Sequence, residues 1–168
     1  PAENKKINGI TTERLKDRGI PMNEFLQSFT TAFVDSCDYI CAHNSPFDKG
    51  FVFSELERFK LPLWDKPWMD TCVDLPYPES MTTRKLTYLA TEHEFLNPFP
   101  QTALSDTLTC QRIFSMYPLE EALRRAQSPN ITVRALVDYA NREKASKRGY
   151  RWNAGEKKWI KTIKEFDL

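Results

Sequence analysis

Two aspartates carry most of the chemistry this sequence offers. Asp48 closes "AHNSPFD" (42–48), just past a short apolar run and at the opening of a helical one. Asp106 closes "QTALSD" (101–106), again at the start of a helical run. Carboxylates at such junctions lie where α/β proteins gather ligands, outside the carboxyl ends of the strands. Two of them, on different elements, can converge on one divalent cation. Each alone is equally what a helix dipole favours in a first turn, so the weight rests on the ordered pair and its surroundings. Gln101 stands five residues before Asp106. A carboxamide has no useful pKa for proton transfer, but it can hold a water or a phosphate oxygen by hydrogen bonding. The only two histidines, His43 and His93, read as structural or surface residues rather than as a base.

The elements that must position these residues follow from periodicity. "PMNEFLQSFTTAF" sets Met22, Phe25, Leu26, Phe29 and Phe33 at helical spacing, with Pro21 suited to the first turn. "DYICA" (38–42) and "PWMDTCVDL" (67–75) read as short buried strands. Between them, residues 46–59 form a helix on which Phe47, Phe51, Leu56 and Phe59 can share a broad face. Residues 84–93 form another. "NPFP" is a turn, and residues 102–117 form a helix with Ala103, Leu104, Leu108 and Ile113 directed to the core. Past residue 119 come a short helix and a linker, then strand-like "ITVRALVDYA". A short helix closed by Gly149 follows, and a hairpin turning at "NAG" ends the chain.

Composition bounds the class. The 168 residues are 40% hydrophobic and 28% charged, which fits a folded globular chain. No apolar run reaches the length of a membrane span, and the polar opening "PAENKKINGI" does not read as a signal peptide. Cys37, Cys41, Cys72 and Cys110 lack zinc-ligand spacing. Cys41 and Cys72 lie in strand-like runs, so buried free thiols and a reducing cytoplasm are expected. The net charge of +1 is unevenly spread: residues 131–168 carry ten Lys/Arg against five Asp/Glu, and residues 1–130 carry fourteen against eighteen. A basic tail on a mildly acidic body suits a polyanion partner, or simply a solvated face.

"AHNSPFD", followed some sixty residues on by "QTALSD", resembles the second and third motifs of the DEDD 3'→5' exonucleases, the histidine-type, proofreading-exonuclease-like family with a ribonuclease H-like fold. "DTCVDLPYP" and "RKLTYLATEH" resemble that family's next strand and helix. "INGITTERLKDRGIPMNEFLQSFTTAF" resembles its lead-in. The resemblance spans about residues 1–117 and implies an α/β, ribonuclease H-like exonuclease domain over 1–118, a linker over 119–130, and a small C-terminal β-α-β-like module over 131–168. It implies that Asp48 and Asp106 are two of four carboxylates holding two Mg²⁺ or Mn²⁺ ions, which would flank a phosphodiester and activate water. It places Gln101 where the family has its histidine base, and Asn44 and Phe47 near the terminal nucleotide. The family's Asp-x-Glu first motif is not found ahead of Asp48. The domain is therefore expected to be N-terminally incomplete as written, with the remaining ligands upstream of Pro1 and the activity of this chain impaired.

The tail adds a second signal. "ANREKASKRGYRWNAGEKKWIK" resembles small modules appended to bacterial and phage nucleic-acid enzymes. Lys144, Lys147, Arg148, Lys157 and Lys158 can follow phosphates while Tyr150 and Trp152 stack on bases. Alternatively Trp152 and Trp159 form the module's own small core. The expected function is a metal-dependent 3'→5' exonuclease acting on single-stranded DNA 3' ends in a bacterial or phage-infected cell. The alternatives are a non-catalytic nucleic-acid-binding protein on the same fold, and an interaction domain in which both aspartates are helix caps. No membrane partner is expected.

Overall fold

The computed structural model describes residues 9–168; most of the polar opening segment lies outside them. Helix α1 spans Thr12–Arg18, with the Thr11 hydroxyl accepting from the Arg14 amide. Helix α2 spans Met22–Phe29 and runs into a wider π-helical turn, Thr30–Val34. Thr30 sits at that change of pitch. Its hydroxyl donates back to the Leu26 carbonyl at 2.7 Å and accepts from Trp64 Nε1 at 2.8 Å, while its carbonyl takes the amide of Asp35 five residues on.

Strand β1 (Ile40–Ala42), helix α3 (Ser45–Arg58) and strand β2 (Trp68–Asp70) form a β-α-β crossover. The strands pair in parallel, with Ile40 opposite Trp68, Cys41 opposite Met69 and Ala42 opposite Asp70. Among the described residues both outer edges of this two-stranded sheet lack a further strand. Strand alternation sorts the two faces. Ile40 and Trp68 join the core beneath α2 and α3, where Leu26, Val34, Leu56 and Trp64 are buried and Phe29 stacks on Trp64 at 5.7 Å. Cys41 and Met69 point the other way.

Helix α4 (Leu86–Glu92) packs on helix α5 (Ala103–Phe114), with Leu89, Ala90, Thr109 and Ile113 buried. Helix α6 spans Leu119–Gln127, so most of the expected linker is helical. Compact packing divides the chain inside α6, into a first unit ending at Leu123 and a second unit, Arg124–Leu168.

The second unit contains strand β3 (Asn130–Arg134), helix α7 (Arg142–Lys147), strand β4 (Arg151–Asn153), strand β5 (Lys158–Lys164) and a closing 3₁₀ turn, Glu165–Asp167. Its sheet is wholly antiparallel in the order β3-β5-β4. The strand, helix and hairpin follow one another as expected, and the last strand lies in the middle and pairs both others. Gly149, at φ +80, closes α7 as expected. The Asn153 side chain accepts from the Glu156 amide and shapes the hairpin turn.

Several sequence expectations are corrected. Phe47 and Phe51 are exposed, at 72% and 57%, because α3 buries the Ser45–Val52–Leu56–Phe59 side instead. Ala103, Leu104 and Leu108 face outward, and α5 buries its Thr109–Ile113 side. The expected strand over 67–75 stops at Asp70. The Asp70 carboxylate turns to accept from the Cys72 amide, and Asp74 accepts from the Asp70 amide, which curls the chain out of the sheet. Cys41 is exposed and Cys72 only half-buried, so neither is the buried thiol expected. Among the described residues, no helix is long and apolar enough to cross a membrane.

Candidate functional site

The site is built at the carboxyl ends of β1 and β2. Where β1 ends, Asn44 takes the left-handed conformation (φ 69°, ψ 53°), turning the chain from strand to helix, and caps α3. Asn adopts this region at lower cost than most side chains. Its amide donates to Asp70 Oδ1 at 2.9 Å, which ties the β1–α3 corner to the end of β2. Asp48 follows in the first turn of α3. Partial burial holds its carboxyl above the usual carboxylate range. The nearby Asp70 charge adds to that rise, while the helix backbone and His43 oppose it.

His43 is structural, as the sequence suggested. Its Nε2 donates to the Arg84 carbonyl at 2.6 Å, and its Nδ1 meets Thr71 Oγ1 at 2.8 Å. His93 caps α4 and lies between the Leu89 carbonyl (2.6 Å) and the Tyr117 hydroxyl (2.7 Å). In each ring both nitrogens are engaged, so neither histidine is free to act as a base.

Asp106 lies in the first turn of α5. A clamp that sequence reasoning missed fixes its carboxylate. Asn97 Nδ2 donates to Asp106 Oδ1 at 2.6 Å, while Asn97 Oδ1 accepts from Ser105 Oγ at 2.5 Å and from the Phe99 amide at 3.2 Å. "NPFP" therefore does more than turn the chain: its Asn positions the carboxylate nine residues on. Gln101 is exposed in the turn before α5, with φ 64°.

The link between α5 and the sheet is made of sulfur. Alternation places Cys41, His43, Met69 and Thr71 on the same side, and α5 brings Cys110 to them. Thr71 Oγ1 lies 3.4 Å from Cys110 Sγ, and the Cys41 thiol is near enough to influence the same sulfur. Cys110 is one turn beyond Asp106 on α5, so the two share a helix face. The charges of Asp70 and Asp48 both reach Cys110. The aspartate-bearing side of α5 is thereby turned toward the β1–α3 corner. Among the described residues, however, no group of three His, Cys, Asp or Glu side chains could hold a metal ion. Asp48 and Asp106 place two carboxylates on separate elements.

The thiols are differentiated by the same geometry. The neighbouring Cys41 thiol, and after it the Thr71 hydroxyl, favour the Cys110 thiolate and lower its pKa against burial and the two aspartate charges. Cys41, beside that thiol and partly desolvated, is pushed up. Burial, with Asp70 next, raises Cys72 to about 12. Iodoacetamide alkylation followed by peptide mapping is expected to show a Cys110 midpoint below the ordinary thiol value of about 8.5. Cys41→Ala is expected to shift that midpoint upward. A midpoint at or above the ordinary value, unmoved by Cys41→Ala, would show that the thiol pair does not activate Cys110.

In the second unit the expected nucleic-acid residues do not share one side. Trp152 pairs across the strands with Trp159, ring centroids 5.8 Å apart, and is 52% exposed. Lys161, on that same face, donates to the Arg148 carbonyl at 3.1 Å and lies over the Tyr150 ring. The α7 end with Lys144, Lys147, Arg148 and Tyr150 is therefore on the tryptophan side. Lys158 alternates to the opposite face, and Lys157 (φ 52°) sits in the turn between. No protein-family model matches the chain, and no curated protein is significantly similar to it.

Proposed function

We propose that this chain carries the second half of a DEDD-type 3'→5' exonuclease site on a ribonuclease H-like scaffold, joined to a basic module that engages the nucleic acid. The observation that carries this reading is the parallel β1–β2 pair with Asp48 on the helix leaving its carboxyl edge and the Asp106 helix joined to that edge through Thr71 and Cys110. The open sheet edges, together with exposed Phe47, Phe51, Leu104 and Leu108, support a scaffold that further strands complete. On this reading the additional carboxylates lie on such a strand. Bound Mg²⁺ or Mn²⁺ ions would supply an activated water and neutralise the leaving oxygen. The described residues alone do not fit a metal pair. Their part is to orient: Asn97 holds Asp106, and Asn44 and Asp70 hold the corner before Asp48. Asn44 and Phe47, exposed at that corner, would flank the terminal nucleotide.

A non-catalytic binder on the same scaffold is the second reading, favoured by the amide at position 101. One assay separates the two. With Mg²⁺ or Mn²⁺ and 5'-labelled single-stranded DNA, this polypeptide is expected to cleave little. With an Asp-x-Glu strand fused ahead of Pro1, stepwise 3' shortening is expected, and Asp48→Asn or Asp106→Asn should abolish it. Robust cleavage by the unfused chain means the ligands are misplaced; no cleavage by the fusion favours the binder.

A further inference from the structure

We propose that the sheet face turned away from Trp152 and Trp159 binds the phosphodiester backbone of single-stranded nucleic acid. This deepens the reading that the basic module engages nucleic acid, but it does not depend on the chain being a nuclease.

The face follows from register. Ile160, on the central strand β5, stands opposite Arg134 of β3 on one side and Arg151 of β4 on the other. The three residues form one row across the sheet. Two residues along β5, on the same face, Lys158 stands opposite Asn153, and in the other direction Thr162 stands opposite Thr132. Arg134, Arg151, Lys158, Thr132 and Thr162 are all exposed, and Ile160 is half-buried between the two arginines. The three strands contain five Lys or Arg and no Asp or Glu. Of the five, Lys161 is engaged by Arg148 on the tryptophan side, and Lys164 donates to the Ala126 and Ser128 carbonyls at the far end of this face. Arg134, Arg151 and Lys158 are left together at the other end.

Charge complementarity selects the occupant. Two guanidiniums on outer strands, with an amine and two hydroxyls beside them, present donors suited to phosphate oxygens. Glu156, in the hairpin turn, borders them and lies 4.0 Å from the Lys158 amine. Three strands span about 10 Å, two inter-strand spacings, the width of one backbone rather than of a duplex groove. An anionic membrane is the weaker match: surface-binding elements set large apolar side chains beside their cations, and here the exposed tryptophan lies on the opposite face.

The test uses the full chain and a fluorescent single-stranded oligonucleotide in EDTA, so that nothing depends on cleavage. Affinity is read at several salt concentrations. Each phosphate contact on a single strand contributes about 0.7 to the slope of log K against log salt, so Arg134→Gln/Arg151→Gln is expected to reduce the slope by about 1.4. The corresponding loss of affinity is roughly 60-fold at 50 mM salt and about tenfold at 200 mM. Arg151→Gln/Lys158→Gln reads the same face from its other edge and is expected to act alike. Lys144→Gln/Lys147→Gln removes equal charge from α7 and is expected to change the slope by less than half as much. Unchanged slope and affinity in both face variants overturn the proposal. Equal losses from the α7 variant also overturn it, because they would show an effect of total charge. Tighter binding to phosphatidylserine vesicles than to the oligonucleotide would assign the face to a membrane instead.

Discussion

Gln101→His, introduced into the chain fused to an Asp-x-Glu strand, is expected to raise the rate of 3' cleavage by roughly 10²–10⁴, the range a positioned general base supplies. The position can accept the change. Gln101 is exposed, and its φ of 64° lies in the left-handed region, where His is among the better tolerated side chains. An imidazole there titrates near its ordinary value of about 6.5 when solvated. The rate of the variant should therefore rise with pH through that value, whereas the fusion retaining Gln101 should lack that limb. Neither His43 nor His93 can supply the limb in its place, since the ring nitrogens of both are held by neighbours. Equal rates and pH profiles with and without Gln101→His would show that position 101 does not face the attacking water.

Leu56→Ala is expected to cost the first unit about 2–5 kcal/mol, measured as a fall in the urea midpoint at unchanged slope. Leu56 is 1% exposed and is buried with Leu26, Val34 and Trp64 in the apolar cluster beneath α2 and α3. Truncation leaves a cavity that Trp64 cannot fill, because its ring is pinned on both sides: stacked by Phe29 and hydrogen-bonded to Thr30. Phe47→Ala, on the same helix, is expected to change stability by no more than about 0.5 kcal/mol, because Phe47 is 72% exposed. The pair of variants separates a core position from one that only periodicity places with it. Equal losses would mean that Phe47 is covered in solution, as it would be if further strands or another chain packed on that side of α3.

Most helices were legible from local signals, and for clear reasons. Gly149 stops α7, the acidic first turns open α3 and α5, and "NAG" turns the β4–β5 hairpin. Local backbone preference obeys such signals. Asp48 and Asp106 could be named as junction carboxylates for the same reason. What the sequence could not settle was which side of each helix is covered. Phe47, Phe51, Leu104 and Leu108 fit an apolar stripe as well as the residues that are buried, and only the partner elements choose between them. The Asn97 clamp on Asp106 was equally hidden: a side chain nine residues away becomes a neighbour only when the "NPFP" turn folds back. The meeting of Cys41, Thr71 and Cys110 needs a strand, a turn and a helix from three parts of the chain. In the tail, composition announced a basic module, but register decided its faces. A strand's side chains alternate, so Trp152 and Arg151 are adjacent in sequence and opposite in space. The row Arg134–Ile160–Arg151 exists only because β5 lies between β3 and β4. Local sequence thus determined where most helices form and where charge lies. Tertiary pairing decided which side chains meet, because contacts between distant residues depend on register and packing that no short window contains.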